Sequence, residues 1–232
     1  MKFRRLRISP VHTGQKDAGL DVRDLKQIYR TRRQQIRDRL AEFAEVGRAA
    51  SDEQIFEELT FCIYTAGASA RMGLRSVESV RPVLAAGSMR EIQLALSRSH
   101  RFPNGRGAYV FETREYLRAV CGPKMRELLR SFHDEDQRRD FFAANPAVRG
   151  IGYKEASHFL RNVGYRSYAI LDKHILSRLT EFAVIESPRP AAKKSAYVGI
   201  ENKMKRFAES IDIDFDELDL LLWSTKTGEI LK

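Results

Sequence analysis

Cysteine is scarce here: Cys62 and Cys121 are the only two in 232 residues. Two thiols cannot furnish a four-thiolate iron–sulfur cluster or a Cys-rich zinc site, and a disulfide scaffold does not suit a chain of this size. A reducing cytoplasm is the natural compartment. Long apolar runs are missing as well. None approaches the roughly 20 residues of a membrane-spanning helix, and the N-terminus, Met1-Lys-Phe-Arg-Arg-Leu-Arg7, lacks the apolar stretch of a signal peptide. The sequence therefore reads as a soluble, cytoplasmic protein that does not engage membranes. Alternating runs of strand length are few, and there is no internal repeat or low-complexity tract.

Positive charge is abundant. Lys and Arg total 41 against 31 for Asp and Glu, a net charge of +10, and the pI is about 9.7. That balance suits a polyanion, although charge alone does not distinguish DNA or RNA from no specific nucleic-acid partner. The length allows one large domain or two small ones.

Apolar spacing is helical almost throughout, which predicts an all-α protein. The first long helix is expected from Asp21 to about Ala44, with Leu25, Ile28, Ile36, Leu40 and Phe43 on one face and a polar turn at Arg32. Ser51-Asp-Glu-Gln54 has the form of a capping box, opening a second helix whose Ile55, Leu59, Cys62 and Ile63 form a buried stripe. Further helices are expected around Ala70 to Val83, Met89 to Arg98, Arg106 to Val120, Pro123 to Phe132 and Glu135 to Ala143. Tyr165 to Leu171 reads as an extended connector, and Asp172 then stands where a helix N-cap would stand. Two last helices are placed near Ala196 to Ser210 and Asp214 to Lys226. The acids Asp212, Asp214, Asp216, Glu217 and Asp219 read as a capped, solvated first turn, since no companion ligands lie at coordination spacing.

One segment carries chemistry. From Asn145 to Arg161 the chain contains Gly150-Ile151-Gly152 followed by Ala156, the pattern of a helix-hairpin-helix. Glycines there permit a tight turn and let main-chain N–H groups approach a phosphate, towards which the next helix presents its positive end. Ile151 would anchor the hairpin, Ala156 would let the helices pack, and Arg149 stands beside the turn. As a lone motif this is weak. Lys154 occupies the first turn of the following helix, and Asp172 lies eighteen residues further on. A lysine at that end is unfavourable for the helix dipole; the same positive field, with partial burial, favours the neutral amine that a nucleophile needs. Taken alone, Lys154 still reads as a DNA-backbone or solvated lysine.

From Asn145 to Leu179 the chain resembles the helix-hairpin-helix DNA glycosylase superfamily. Gly150-Ile-Gly-Tyr-Lys-Glu-Ala-Ser157, with Ala169-Ile-Leu-Asp-Lys-His-Ile-Leu176, resembles its archaeal-type 8-oxoguanine DNA glycosylase/lyase family. Similarity extends to Glu58-Leu-Thr-Phe-Cys-Ile63, Arg101-Phe-Pro-Asn104 and Trp223 to Lys232, and so covers most of the chain. The resemblance implies two interleaved helical subdomains flanking a cleft, with residues 145–164 as hairpin and lysine helix and 214–232 as base-recognition helix and tail. It implies duplex DNA containing 8-oxoguanine, and abasic-site DNA, as partners of a monomer that is nucleoid-associated in a prokaryote. Its catalytic pair matches Lys154 and Asp172: the amine attacks C1′ of a flipped-out nucleotide, the carboxylate stabilises the cationic sugar, and the resulting imine allows β-elimination. That chemistry requires no metal or redox cofactor. DNA contacts fall on Arg149, Gly150, Ile151 and Gly152, and base recognition on Phe102, Trp223 and Lys232, where the terminal carboxylate can accept the N7 hydrogen of 8-oxoguanine. Without the resemblance, Trp223 is a core aromatic and Lys232 a frayed end.

Two departures stand out. Thr65-Ala-Gly-Ala-Ser69 lacks the Asn or Gln with which many superfamily members fill the gap left by a flipped base, and the segment before Asp172 lacks their proline. His174 reads as a structural neighbour of Asp172, and His158 as a packing or DNA-contact residue. Competing readings are a glycosylase/lyase for oxidised pyrimidines, which shares the catalytic pair, and a non-enzymatic hairpin protein, which needs the glycines but not the pair.

Overall fold

The computed structural model describes residues 20–230. Among these the chain forms eleven helices and no strand, so the fold is all-α, as the spacing predicts. The helices are α1 (Val22–Ala49), α2 (Asp52–Thr65), α3 (Ala70–Leu84), α4 (Met89–Leu96), α5 (Pro103–Cys121), α6 (Met125–Ser131), α7 (Glu135–Ala143), α8 (Tyr153–Asn162), α9 (Lys173–Glu181), α10 (Lys194–Ser210) and α11 (Phe215–Thr227). They divide into two units, one of them Glu42–Tyr168, the other joining the described residues before Glu42 to those from Ala169 onward.

In the Glu42–Tyr168 unit the centre is α2. Ser51 caps it as the sequence predicts, its hydroxyl accepting from Gln54 N at 3.3 Å while Gln54 Oε1 accepts from Ser51 N at 2.8 Å. Ile55, Leu59, Cys62 and Ile63 are buried, and so are Phe61 and Tyr64 on the remaining faces. At about 1.5–3 kcal/mol for each large apolar side chain, a helix apolar around its circumference belongs in an interior. It is packed by α3, α5, α6 and α8. From α8, Ala156, Phe159 and Leu160 enter the same core, where Phe142 of α7 meets Phe159 edge-on at 4.9 Å.

The second unit takes the first part of α1 with α9, α10 and α11. Here the structure corrects two expectations. Helix α1 has no break at Arg32; it runs on to Ala49, beyond the predicted end. Arg32 stays helical and its guanidinium donates to Ser224 Oγ at 2.8 Å, a tie to the last helix that composition along α1 cannot reveal. The acids of α11 are not a solvated surface either: Asp216, Glu217 and Asp219 are buried. Asp214 caps the helix, accepting from Asp216 N and Glu217 N. Glu217 accepts from the Tyr29 hydroxyl and pairs with Arg37 at 2.8 Å, and Asp219 accepts a backbone N–H discussed below.

Candidate active site

The hairpin turn is built on α5. Asn145 Oδ1 accepts from Ala147 N at 3.0 Å, Thr113 Oγ1 accepts from Arg149 N at 2.8 Å, and Arg106 donates to the Gly150 carbonyl at 3.0 Å while its other Nη bonds the Ala66 carbonyl at the end of α2. Gly150 has φ +78°, and a Cβ placed on it would stand 2.4 Å from the Tyr109 ring, so the protein itself demands glycine there. Gly152 is different. Its backbone is extended, and its Cβ would meet only Glu155 Oε2 at 3.8 Å. No neighbouring protein atom stands in the way of a Cβ at Gly152. Ile151 is partly buried and packs on the core, and Ala156 is fully buried. Arg149, half-exposed, pairs with Glu112 at 3.2 Å and lies 5.5 Å over the Tyr109 ring.

Lys154 stands in the first turn of α8, its side chain 30% exposed. Its amine meets Glu155 Oε1 at 2.9 Å, and Glu155 Oε2 accepts from Gly152 N at 3.2 Å. One carboxylate thus caps the helix and holds the amine beside the hairpin. Glu155 was missed in the sequence, although a glutamate three residues after an N-cap is a capping-box signal that could have found it. His158, four residues after Lys154, packs edge-on against Phe61 at 5.5 Å.

Asp172 lies in the other unit, as the N-cap of α9. Its Oδ1 accepts from His174 N at 2.8 Å and Ile175 N at 2.9 Å, and its Oδ2 accepts from the indole Nε1–H of Trp223 at 3.1 Å. His174 is thereby a structural neighbour of Asp172, through its backbone. The connector is pinned at both ends. On the Glu42–Tyr168 side, Arg138 lies 4.1 Å over the Tyr165 ring and donates to the Tyr168 hydroxyl at 3.3 Å. On the other, three successive amides have buried partners: Ala169 N donates to Glu201 at 2.8 Å, Ile170 N to Asp219 at 3.0 Å and Leu171 N to the Tyr197 hydroxyl at 3.3 Å. These acids give a connector without proline a fixed path into Asp172.

Phe102 precedes α5 and is 57% exposed. His100 supports it: its Nδ1 accepts from Phe102 N at 3.0 Å and its Nε2 bonds the Tyr64 carbonyl at 2.9 Å. That arrangement needs a neutral ring, and the His100 pKa is accordingly lowered, first by burial and then by the nearby Arg106 and Arg101 charges, against the opposing pull of the Tyr64 carbonyl. Lys232 lies outside the described residues. The tail is followed as far as Ile230, whose carbonyl accepts from the buried Arg39 at 3.5 Å. The structure thus groups Lys154 with the hairpin glycines in one unit and Asp172 with Trp223 in the other. Among the described residues there is no cluster of His, Cys, Asp or Glu able to hold a metal ion, and no helix long and apolar enough to cross a membrane.

Residues 36–213 match the family model described as 8-oxoguanine DNA glycosylase. The chain belongs to that family. Relatives within the 8-oxoguanine DNA glycosylases include an 8-oxoguanine DNA glycosylase/AP lyase of Korarchaeum cryptofilum, 37% identical over 86% of this chain and 91% of the relative. Another of the same description, from Methanocaldococcus jannaschii, is 34% identical over 90% of this chain and 99% of its own. Among solved structures, the M. jannaschii 8-oxoguanine glycosylase/lyase in complex with a 15mer DNA containing 8-oxoguanine aligns with TM-score 0.82 at 32% identity, covering 91% of this chain and 99% of that one. The Thermotoga maritima 8-oxoguanine DNA glycosylase aligns with TM-score 0.81 at 31% identity, over 91% and 98% of the respective chains.

Proposed function

We propose that this protein excises 8-oxoguanine from duplex DNA and then cleaves the strand at the resulting abasic site, with Lys154 as nucleophile and Asp172 as its carboxylate partner. The observation that carries the reading is the lysine amine held by Glu155 beside the hairpin, in a chain belonging to the 8-oxoguanine DNA glycosylase family. The hairpin glycines, with Ile151 and Arg149, grip the backbone so that the damaged nucleotide is turned out of the stack. Lys154 leaves Glu155 and gives up an ammonium proton, its neutral Nζ bonds to C1′ as the C1′–N9 bond breaks, and that proton goes to the departing base. Asp172 stabilises the cationic sugar and receives the proton then shed by the attached amine. Opening of the sugar ring gives an imine, loss of a C2′ proton expels the 3′ phosphate, and water frees the lysine. Trp223 stacks on the base, Phe102 borders its pocket, and Lys232 takes part in reading it. In a prokaryotic cell such an enzyme works on the nucleoid.

Borohydride trapping on duplexes carrying 8-oxoguanine, an oxidised pyrimidine or no lesion tests both chemistry and substrate. A covalent adduct with 8-oxoguanine DNA is expected for the wild type and none for Lys154→Gln, which should still bind. Preferential trapping on the oxidised pyrimidine would transfer the protein to that substrate class, and trapping by Lys154→Gln would remove the nucleophile assignment.

A further inference from the structure

Trp223 does more in this structure than offer a ring. It is the one tryptophan of the chain, and its indole N–H donates to Asp172 Oδ2 at 3.1 Å, across 51 residues of sequence. The other oxygen, Oδ1, is engaged by the amides of His174 and Ile175. Both oxygens are therefore held, one by the start of α9 and one by α11. An indole N–H lies in the plane of its ring, so the bond uses the edge of Trp223 and does not itself occupy a ring face. From this geometry we infer that Trp223 is a positioning residue for Asp172: its N–H fixes the rotation of the carboxylate while its face serves the base. The inference deepens the proposed function and rests on the role of Asp172 given there.

The two duties separate on a duplex with a preformed abasic site, which has no base to stack on. Trp223→Phe keeps an aromatic face and loses the donor. Single-turnover cleavage of abasic DNA by this variant should slow about ten- to a hundredfold, the upper end being the scale of a catalytic group misplaced by 1 Å, with affinity for a duplex carrying a tetrahydrofuran abasic analogue unchanged. Should the variant fold poorly, replacing the single tryptophan by benzothienylalanine removes the N–H and keeps the two-ring shape, and must give the same slowing. Combined with Asp172→Asn, Trp223→Phe should add no further loss, because the donor acts only through that carboxylate. In the wild type, the single indole ¹H–¹⁵N cross-peak should move on Asp172→Asn.

Wild-type abasic cleavage in both donor-free proteins would overturn the inference and leave Trp223 a base contact alone. Full additivity with Asp172→Asn would overturn it as well. If Asp172→Asn itself cleaved abasic DNA at the wild-type rate, the proposed role of the carboxylate would fail first, an outcome distinct from the other two.

Discussion

Gly150 and Gly152 look alike in the sequence and are unlike in the structure. Gly150 is in the left-handed region against the Tyr109 ring, so Gly150→Ala should cost about 1–3 kcal/mol, read as a lower midpoint of urea unfolding. The Cβ of Gly152→Val meets only Glu155 Oε2, at 3.8 Å, so this change should lower the midpoint less than Gly150→Ala, yet weaken damaged and undamaged duplex alike by blocking the approach of a phosphate. Wild-type affinity for Gly152→Val would show that no phosphate comes near. His100 is a second residue whose state matters. Its pKa in the folded protein is lowered below the ordinary 6.5. The unfolded chain therefore binds the proton more readily, and the stability contributed by the neutral ring is present above about pH 6.5 and lost as the pH falls below it. Urea unfolding of the wild type and of His100→Asn between pH 5 and 8 should show a steeper acid-side decline in the wild type. Equal slopes would mean that the ring does not titrate there.

Among the helices, local signals were read correctly where they are chemical. The Ser51 box, Asp172 as N-cap and Glu135–Ala143 stand where the sequence puts them, because caps and apolar spacing are properties of a few neighbouring residues. What could not be read depends on partners far along the chain. Helix α1 seemed to break at Arg32, since nothing nearby reveals Ser224 as its hydrogen-bond partner. The acids of α11 seemed solvated because a buried carboxylate is defined by what it binds: Asp219 by the amide of Ile170, Glu217 by Arg37. The bond from Trp223 to Asp172 escaped notice for the same reason, whereas the hold of Glu155 on Gly152 and Lys154 was within reach of the capping rule. Lys154, Asp172 and the hairpin were legible as motifs; of the side chains that hold them, Glu155 was within reach and Trp223 was not.

At the level of the whole molecule, the proposed mechanism gives the tail a part in base reading and none in strand cleavage. Arg39 holds the carbonyl of Ile230, two residues before the end of the sequence. If Lys232 reads 8-oxoguanine, Lys232→Ala should depress excision of that base at least about tenfold more than cleavage of abasic DNA, by loss of one charge-assisted hydrogen bond. Single-turnover rates on the two substrates measure the ratio, and equal losses would assign the tail to structure. The division of the chain also bears on how the protein is made. Synthesis runs from the N-terminus, and domains tend to fold as they emerge. The Glu42–Tyr168 unit, with the hairpin and Lys154, is contiguous, whereas the other unit must wait for Ala169 and everything after it to join the start of α1. A chain stalled before Ala169 carries the hairpin and Lys154 but lacks Asp172, Trp223 and the tail. Under the proposed mechanism, the order of translation makes strand cutting the last capability a nascent chain acquires, so unfinished copies do not nick the genome.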